Sequence, residues 1–260
     1  MFREFLDSIG VYKVYEKWLT NTISHENMPK HLGVILDGNR RWARNRKMTT
    51  LEGHWEGADT VEKFLYWCLE LGINTITLYS FSTENFKRDK EEVENLFKLF
   101  DEVLDKVIRS DLIHKNQVRV RAIGRIDTLP QTLQTGIKKV EKATQDYDRF
   151  YLNIALAYGG RAEIVDAMQS IGEKIRQGEI TPDMIDEALI EANLYTAYLP
   201  QPNPDMIIRT SGESRLSNFL VWQSAYSELF ILDVYWPSFR KIDLMRAIRE
   251  YQMRQRRYGS

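Results

Sequence analysis

Residues 31–42 read HLGVILDGNRRW, and this stretch decides the fold class. Positions 31–36 form a short apolar run that ends on Asp37, which suits a strand buried inside a parallel sheet. A carboxylate at the tip of an apolar strand is costly unless it is paired or bound to a cation. Gly38 lets the backbone turn closely, and Arg40 and Arg41 supply forked donors matched to phosphate oxygens. One acid beside several arginines is what a metal–diphosphate ligand needs: the metal bridges carboxylate and phosphate, and the guanidinium groups neutralise the rest.

Working outward, strand-like and helix-like segments alternate. Strands are expected at 73–79, 118–123, 151–157, 206–209 and 229–234, and helices at 53–71, 131–145, 161–176, 182–192 and 242–256. The helix expected over 90–108 is strongly amphipathic, with Val93, Leu96, Phe97, Phe100, Leu104 and Ile108 on one face. That face is read as core packing and as a candidate wall for an apolar ligand. Such alternation predicts an α/β fold, a mainly parallel sheet flanked by helices. No repeat or linker divides residues 28–260, which are therefore expected to form a single domain. Residues 1–27 read as an amphipathic helical extension carrying Phe2, Phe5, Leu6, Ile9, Val14 and Leu19. Its apolar face is expected to dock on the body or a partner subunit, with peripheral contact to a membrane surface as the alternative.

In parallel sheets, ligands bind beyond the carboxyl ends of the strands. The strand over 73–79 leads into Ser80, Ser82, Thr83, Glu84, Asn85, Phe86 and Arg88, a cluster of hydroxyls, an amide and a cation. The strand at 206–209 leads into Arg209, Ser211, Arg215, Ser217 and Asn218, which can grip a second anion. Each cluster alone reads as an ordinary solvated loop; their coincidence at three strand ends points to one anion-binding crevice. His54, between Gly53 and Gly57, is either a helix-terminal surface histidine or a group that binds phosphate or moves a proton.

Composition narrows the class. Lys and Arg total 36 against 37 for Asp and Glu, so the cationic bias of a nucleic-acid binder is missing. Cys68 is the only cysteine, which leaves no intrachain disulfide and suits a reducing, cytoplasmic setting. No apolar run approaches the roughly 20 residues of a membrane span, and no signal peptide is expected. A P-loop, a dinucleotide G-x-G-x-x-G after the first strand, a G-x-S-x-G elbow, a zinc cluster and a D-D-x-x-D clamp are all missing.

The ordered motifs resemble the cis-prenyltransferase family of undecaprenyl and dehydrodolichyl diphosphate synthases. They are DGNRRWA at 37–43, GHWEG at 53–57, YSFSTENFKR at 79–88, NIALAYGGR at 153–161, PDMIIRTSGESRLSNFLVWQSAYSEL at 204–229 and RRYG at 256–259. The resemblance implies a homodimer with an apolar tunnel, condensing isopentenyl diphosphate onto an allylic prenyl diphosphate with Mg2+. It implies that Asp37 is the metal ligand, with Glu228 as a second carboxylate at the metal-linked site. Gly38, Arg40, Arg41, Trp42 and Arg88 resemble the allylic diphosphate cradle, with Thr83, Glu84 and Phe86 in the adjoining substrate loop. Asn39, His54, Ser82 and Asn85 resemble positions near proton removal and substrate orientation. Arg209, Arg215 and Ser217 look like the isopentenyl diphosphate clamp, and Arg257 and Gly259 like a tail that reaches the partner subunit's substrate.

This chain departs from the bacterial pattern at several places. Arg40 stands where many bacterial members have glycine, a form similar to archaeal or eukaryotic members. Phe86 replaces tryptophan, Thr50 an arginine, and Ser211 a glycine. Three rival readings are a non-catalytic partner subunit, a nucleotide-dependent α/β enzyme and a phosphate-ester hydrolase. The first is disfavoured because Asp37 and the clamp arginines are both present.

Overall fold

Strand β1 (His31–Ile35) is buried along its whole length, because helices cover both faces of the sheet that contains it. The computed structural model describes residues 11–24 and 26–254; Phe2, Phe5, Leu6, Ile9, Arg257 and Gly259 lie outside that range. The other strands are β2 (Thr75–Tyr79), β3 (Val118–Ile123), β4 (Phe150–Ala155), β5 (Met206–Thr210) and β6 (Glu228–Leu232). They run in the order β3-β4-β2-β1-β5-β6, every pairing parallel. The helices are α1 (Val11–Thr22), α2 (Asn39–Asn45), α3 (Thr50–Glu70), α4 (Lys90–Ile108), α5 (Asp111–Lys115), α6 (Gln131–Thr144), α7 (Gly160–Arg176), α8 (Glu187–Glu191) and α9 (Lys241–Met253).

Side chains alternate between two cores, as the strand period of two requires. Leu32, Val34, Leu78 and Leu152 join a large core with Phe64, Leu133 and Trp236. Ile35, Ala155 and Ile207 point the other way, onto Tyr158, Phe219 and Leu220. Helix α1 docks on its own chain: Leu19 and Ile23 enter the large core, and the Arg246 and Arg249 guanidinium groups of α9 lie over Tyr15 and Trp18. The free edge of β3 is guarded from α6, where Thr144 Oγ1 accepts the Val120 N–H and Glu141 accepts that of Ala122.

Three expectations are corrected. Residues 39–45, where no element was expected, form helix α2, too short for a periodic signal. The helix expected over 182–192 is a 3-10 turn at Pro182–Met184 followed by α8. The Asp186 side chain accepts the Leu189 N–H at 2.7 Å and so starts a new helix instead of continuing one. The third helix begins at Thr50, earlier than expected, because Thr49 and Glu52 form a reciprocal capping box.

A buried polar chain crosses the smaller-core face of the sheet. His31 Nδ1 lies 2.9 Å from the Gln201 carbonyl and must donate to it, so Nε2 accepts from the Thr77 hydroxyl at 2.8 Å. Thr77 in turn accepts from the Asn153 amide at 2.9 Å, and Asn153 accepts from the Tyr198 hydroxyl. Complete burial holds His31 neutral, lowering its pKa from 6.5 to about 4. Unfolded chains therefore bind a proton that the native state refuses between those two values. The native state is expected to keep this contribution above pH 6.5 and to lose up to ~3 kcal/mol of it as pH falls to about 4. Denaturant titrations at pH 7 and pH 4.5 check this: His31→Gln should flatten the pH dependence, and an unchanged slope would refute it.

Candidate active site

The chain leaves β1 toward β2 on one side, whereas it leaves β5 toward β6 on the other. The carboxyl ends of β1 and β5 are thus the switch point where an open parallel sheet binds ligands. Asp37 and Arg209 meet there. Thr210 Oγ1 accepts the Asp37 N–H at 3.0 Å and donates to its carbonyl at 2.7 Å, which pins the strand tip. Gly38 takes φ of 109°, and a Cβ there would come within 2.7 Å of the Tyr235 ring. Only glycine fits that turn into α2.

The two carboxylate oxygens of Asp37 take separate arginines, Arg41 Nη2 at 3.0 Å and Arg209 Nη2 at 2.7 Å. Burial would raise the Asp37 pKa, but the hydrogen bond and charge of Arg209, followed by the charge of Arg41, outweigh it and hold the carboxyl below its ordinary value. Arg209 also donates to Ser217 Oγ at 2.7 Å and to the Arg215 carbonyl. Arg41 extends to Glu213 at 3.1 Å and Ser211 Oγ at 2.7 Å. Ser211 has φ of 77°, which explains why a glycine suits this position; its hydroxyl offsets the strain by holding Arg41.

A second charged group forms across the crevice. Glu92, on α4, lies 3.0 Å from Arg88, 3.4 Å from Arg40 and 3.6 Å from His54 Nε2. Burial, helped by the Arg88 charge, lowers the His54 pKa to about 4 against the pull of Glu92. His54 is therefore a neutral imidazole near pH 7, a hydrogen-bonding group and only a weak base. Helices α2 and α3 approach closely through Gly53 and Gly57, whose missing side chains leave room for Asn39. Asn85 Oδ1 accepts the Ser82 N–H at 3.1 Å and shapes the loop after β2.

Beneath this polar mouth lies a cavity of about 670 Å3, walled by apolar residues that include Val61, Leu65, Phe100, Val103, Leu104 and Ile154. Asp37, Asn39, His54, Ser82, Glu84, Asn85, Arg88, Arg209 and Ser217 also line it. Among the described residues, the buried side-chain polar atoms without a hydrogen-bond partner are Asn39 Oδ1, His54 Nε2, Arg209 Nε and Gln223 Oε1. Three of the four belong to residues at this cavity. Buried polar groups in native proteins are normally satisfied, so an orphaned trio marks a place built for a polar ligand.

Other expected site residues stand apart. Trp42 is buried away from the cavity, donating to Ser238 Oγ at 2.8 Å with Arg46 over its ring, and so packs the loop. Thr83 bonds to Glu84, Phe86 packs edge-on to Phe81, and Arg215 is an exposed partner of Glu213. Glu228 requires correction. It opens β6 in register with Met206, at the amino end of the sheet, and binds Arg254 at 2.6 Å. Five strand residues at about 3.3 Å each put it roughly 16 Å from Asp37 along the strands, so one ion cannot take both carboxylates from one chain. No three metal-ligating side chains converge among the described residues. Asp37 alone suits a hard cation that draws its other ligands from phosphate oxygens and water. Glu92 carries no sequence signal beyond its place four residues after Arg88.

The chain matches the family described as "Putative undecaprenyl diphosphate synthase" over residues 35–259. It is 54% identical to the tritrans,polycis-undecaprenyl-diphosphate synthase (geranylgeranyl-diphosphate specific) of Methanocaldococcus jannaschii, over 99% of this chain and 92% of that protein. The protein of the same description from Thermococcus kodakarensis is 50% identical, over 96% and 94%. Among solved structures, lavandulyl diphosphate synthase from Lavandula x intermedia, in complex with dimethylallyl diphosphate, superposes with a TM-score of 0.87 at 36% identity, covering 90% of this chain and all of that one. A probable undecaprenyl diphosphate synthase from Campylobacter jejuni gives 0.74 at 34%, with the same coverage. With the sheet, the strand-tip acid and these relatives in agreement, the chain belongs to the cis-prenyltransferases, which condense isopentenyl diphosphate onto an allylic diphosphate.

Proposed function

We propose that this enzyme extends a geranylgeranyl diphosphate primer by repeated addition of isopentenyl diphosphate to a long polycis-polyprenyl diphosphate, a precursor of a glycosyl carrier lipid. The observation that carries this reading is the unsatisfied trio from Asn39, His54 and Arg209 at the mouth of an apolar cavity. The archaeal relatives described as geranylgeranyl-diphosphate specific support the choice of primer.

In the proposed mechanism, Asp37 would hold Mg2+, which when bound would neutralise charge on the departing diphosphate. Arg40, Arg41 and Arg88 with the Gly38 turn receive the allylic diphosphate. Arg209, Ser217 and the exposed Arg215 receive the isopentenyl diphosphate. The allylic C–O bond breaks, the isopentenyl double bond attacks the freed carbon, and a proton leaves the neighbouring carbon. Neutral His54, lining the same cavity as Asn39, Ser82 and Asn85, is placed to orient the groups near that proton, which the released pyrophosphate can carry away. Fixed donors aimed at the leaving group act strongly in a site shielded from water.

The cavity takes the growing chain. Each buried methylene contributes about 0.8 kcal/mol, so one five-carbon unit contributes roughly 3 to 4 kcal/mol. Incubation with labelled isopentenyl diphosphate, Mg2+ and primers of 10, 15 or 20 carbons tests the proposal. Chromatography should give long products, fastest from the 20-carbon primer. No elongation from any primer would overturn the reading.

We also propose a homodimer in the cytoplasm. Val165 and Met168 are exposed one turn apart on α7, and Val221, also exposed, packs beside Gly160 at its start. An apolar patch of this kind suits a second copy. Light scattering should return twice the monomer mass, and Val165→Glu with Met168→Glu should halve it. No helix among the described residues is long and apolar enough to cross a membrane, so contact with the lipid that receives the product is proposed as peripheral.

A further inference from the structure

A second cavity, of about 320 Å3, lies at the carboxyl end of edge strand β3, lined by Arg121, Ile123, Gly124, Leu194, Tyr195 and Tyr198. It is separated from the prenyl cavity by the sheet itself. Leu152 and Ile154 of β4 line the prenyl cavity, whereas Asn153 between them faces the opposite way and accepts from the Tyr198 hydroxyl.

The charge arrangement here is unusual. Arg119 and Arg121 are two apart on β3 and share a face. The Arg121 guanidinium carbon stands 4.3 Å from the Tyr198 ring centroid, and that of Arg119 stands 5.8 Å from the same centroid. Both cations therefore use one ring, and their centres cannot be more than about 10 Å apart. The nearby acids have other hydrogen-bond partners. Glu141 accepts the Ala122 N–H, and Asp166 holds Arg125 through two hydrogen bonds and also accepts from Tyr195. Two guanidinium groups share one aromatic ring, and neither has a carboxylate partner among the described residues, so an anion that joins them meets both charges at once.

Tyr198 cannot swing away to relieve this repulsion. Its hydroxyl is tied into the buried chain that runs through Asn153 and Thr77 to His31, so the platform is fixed from β4 across to β1. A rigid aromatic plate carrying two guanidinium forks beside an open cavity is a preorganised oxyanion receptor. We propose that Arg119, Arg121 and Tyr198 form a second anion site, distinct from the condensation crevice, that takes a compact phosphoryl anion such as inorganic pyrophosphate or phosphate. Pyrophosphate is released at each condensation, so the enzyme works in the presence of a ligand of this class.

Calorimetry of the full-length enzyme with inorganic pyrophosphate, in magnesium-free buffer, tests the proposal; a parallel titration with phosphate separates the two sources. The Arg119→Gln/Arg121→Gln variant should bind pyrophosphate at one site fewer per chain than wild type. Condensation by that variant, measured without added pyrophosphate, should stay within about twofold of wild type, because neither arginine lines the prenyl cavity. Tyr198→Phe keeps the ring and should keep the site; Tyr198→Ala should weaken it about tenfold or more. Equal stoichiometry and affinity in wild type and the double arginine variant would overturn the assignment. Tungstate soaked into wild-type crystals gives a reading that needs no variant. Anomalous density between the two guanidinium groups supports the site, and density confined to the Asp37 crevice refutes it.

Discussion

Asp37→Ala is expected to lower kcat/KM about a thousandfold, the upper range for removing one preorganised electrostatic contact at a reacting centre. Three consequences combine. The tip of β1 loses its acid, so the proposed Mg2+ has no protein carboxylate there. Arg41 and Arg209 lose the oxygens that hold them at 3.0 and 2.7 Å. The Arg209 side chain, only 5% exposed, is then left as a buried charge without a counter-ion, which costs about 3 kcal/mol. Asp37→Asn separates activity from stability. Its amide oxygen can still accept from Arg209, so melting should shift less than for alanine while turnover stays low. Normal Mg2+-dependent turnover by either folded variant would remove Asp37 from the mechanism.

The next largest effect is expected at Arg209. Its guanidinium group joins three partners at once: the Asp37 carboxylate from β1, Ser217 Oγ and the Arg215 carbonyl from the loop after β5. Lysine offers a point charge and cannot hold that fork. Arg209→Lys should keep the attraction to Asp37 but release the Ser217 loop, lowering kcat/KM about a hundredfold. Because Ser217 belongs to the proposed isopentenyl diphosphate clamp, KM for isopentenyl diphosphate should rise while KM for the allylic primer changes little. An equal rise for both substrates would show that Arg209 is shared between the two diphosphates and would refute the assignment.

The crevice also bears on how glutamates and arginines divide their work. Glu92 and Glu213 each hold two arginines, in the pairs Arg40 with Arg88 and Arg41 with Arg215. These acids keep the cationic mouth from flying apart before a diphosphate arrives. Incoming phosphate oxygens can then exchange with carboxylate oxygens, which lowers the cost of bringing so many cations together.

Much of this was legible in residue order. The apolar run 31–36 ending in an acid marked both a buried strand and a candidate site at its tip, because burial and charge are properties of neighbouring residues. The amphipathic period over 90–108 located α4 without error at either end, since a long helix repeats its signal over many turns. Helix α2 escaped because seven residues repeat nothing, and its start depends on how Gly38 turns against Tyr235, nearly two hundred residues away. Motif content likewise placed Trp42 among the substrate contacts, whereas packing turns its indole away to Ser238.

What the sequence by itself determined was the class of fold and the chemistry at three strand ends, since hydrophobic period and side-chain functionality are written locally. Only the tertiary structure decided which ends meet. Right-handed crossovers permit many strand orders, and it is the order β3-β4-β2-β1-β5-β6 that brings Arg209 to Asp37 across 172 residues. The same order, with strands parallel, sends Glu228 to the far end of the sheet from the acid it was expected to join. Distance along a chain carries no direction in space; packing of the two cores against the sheet supplies it.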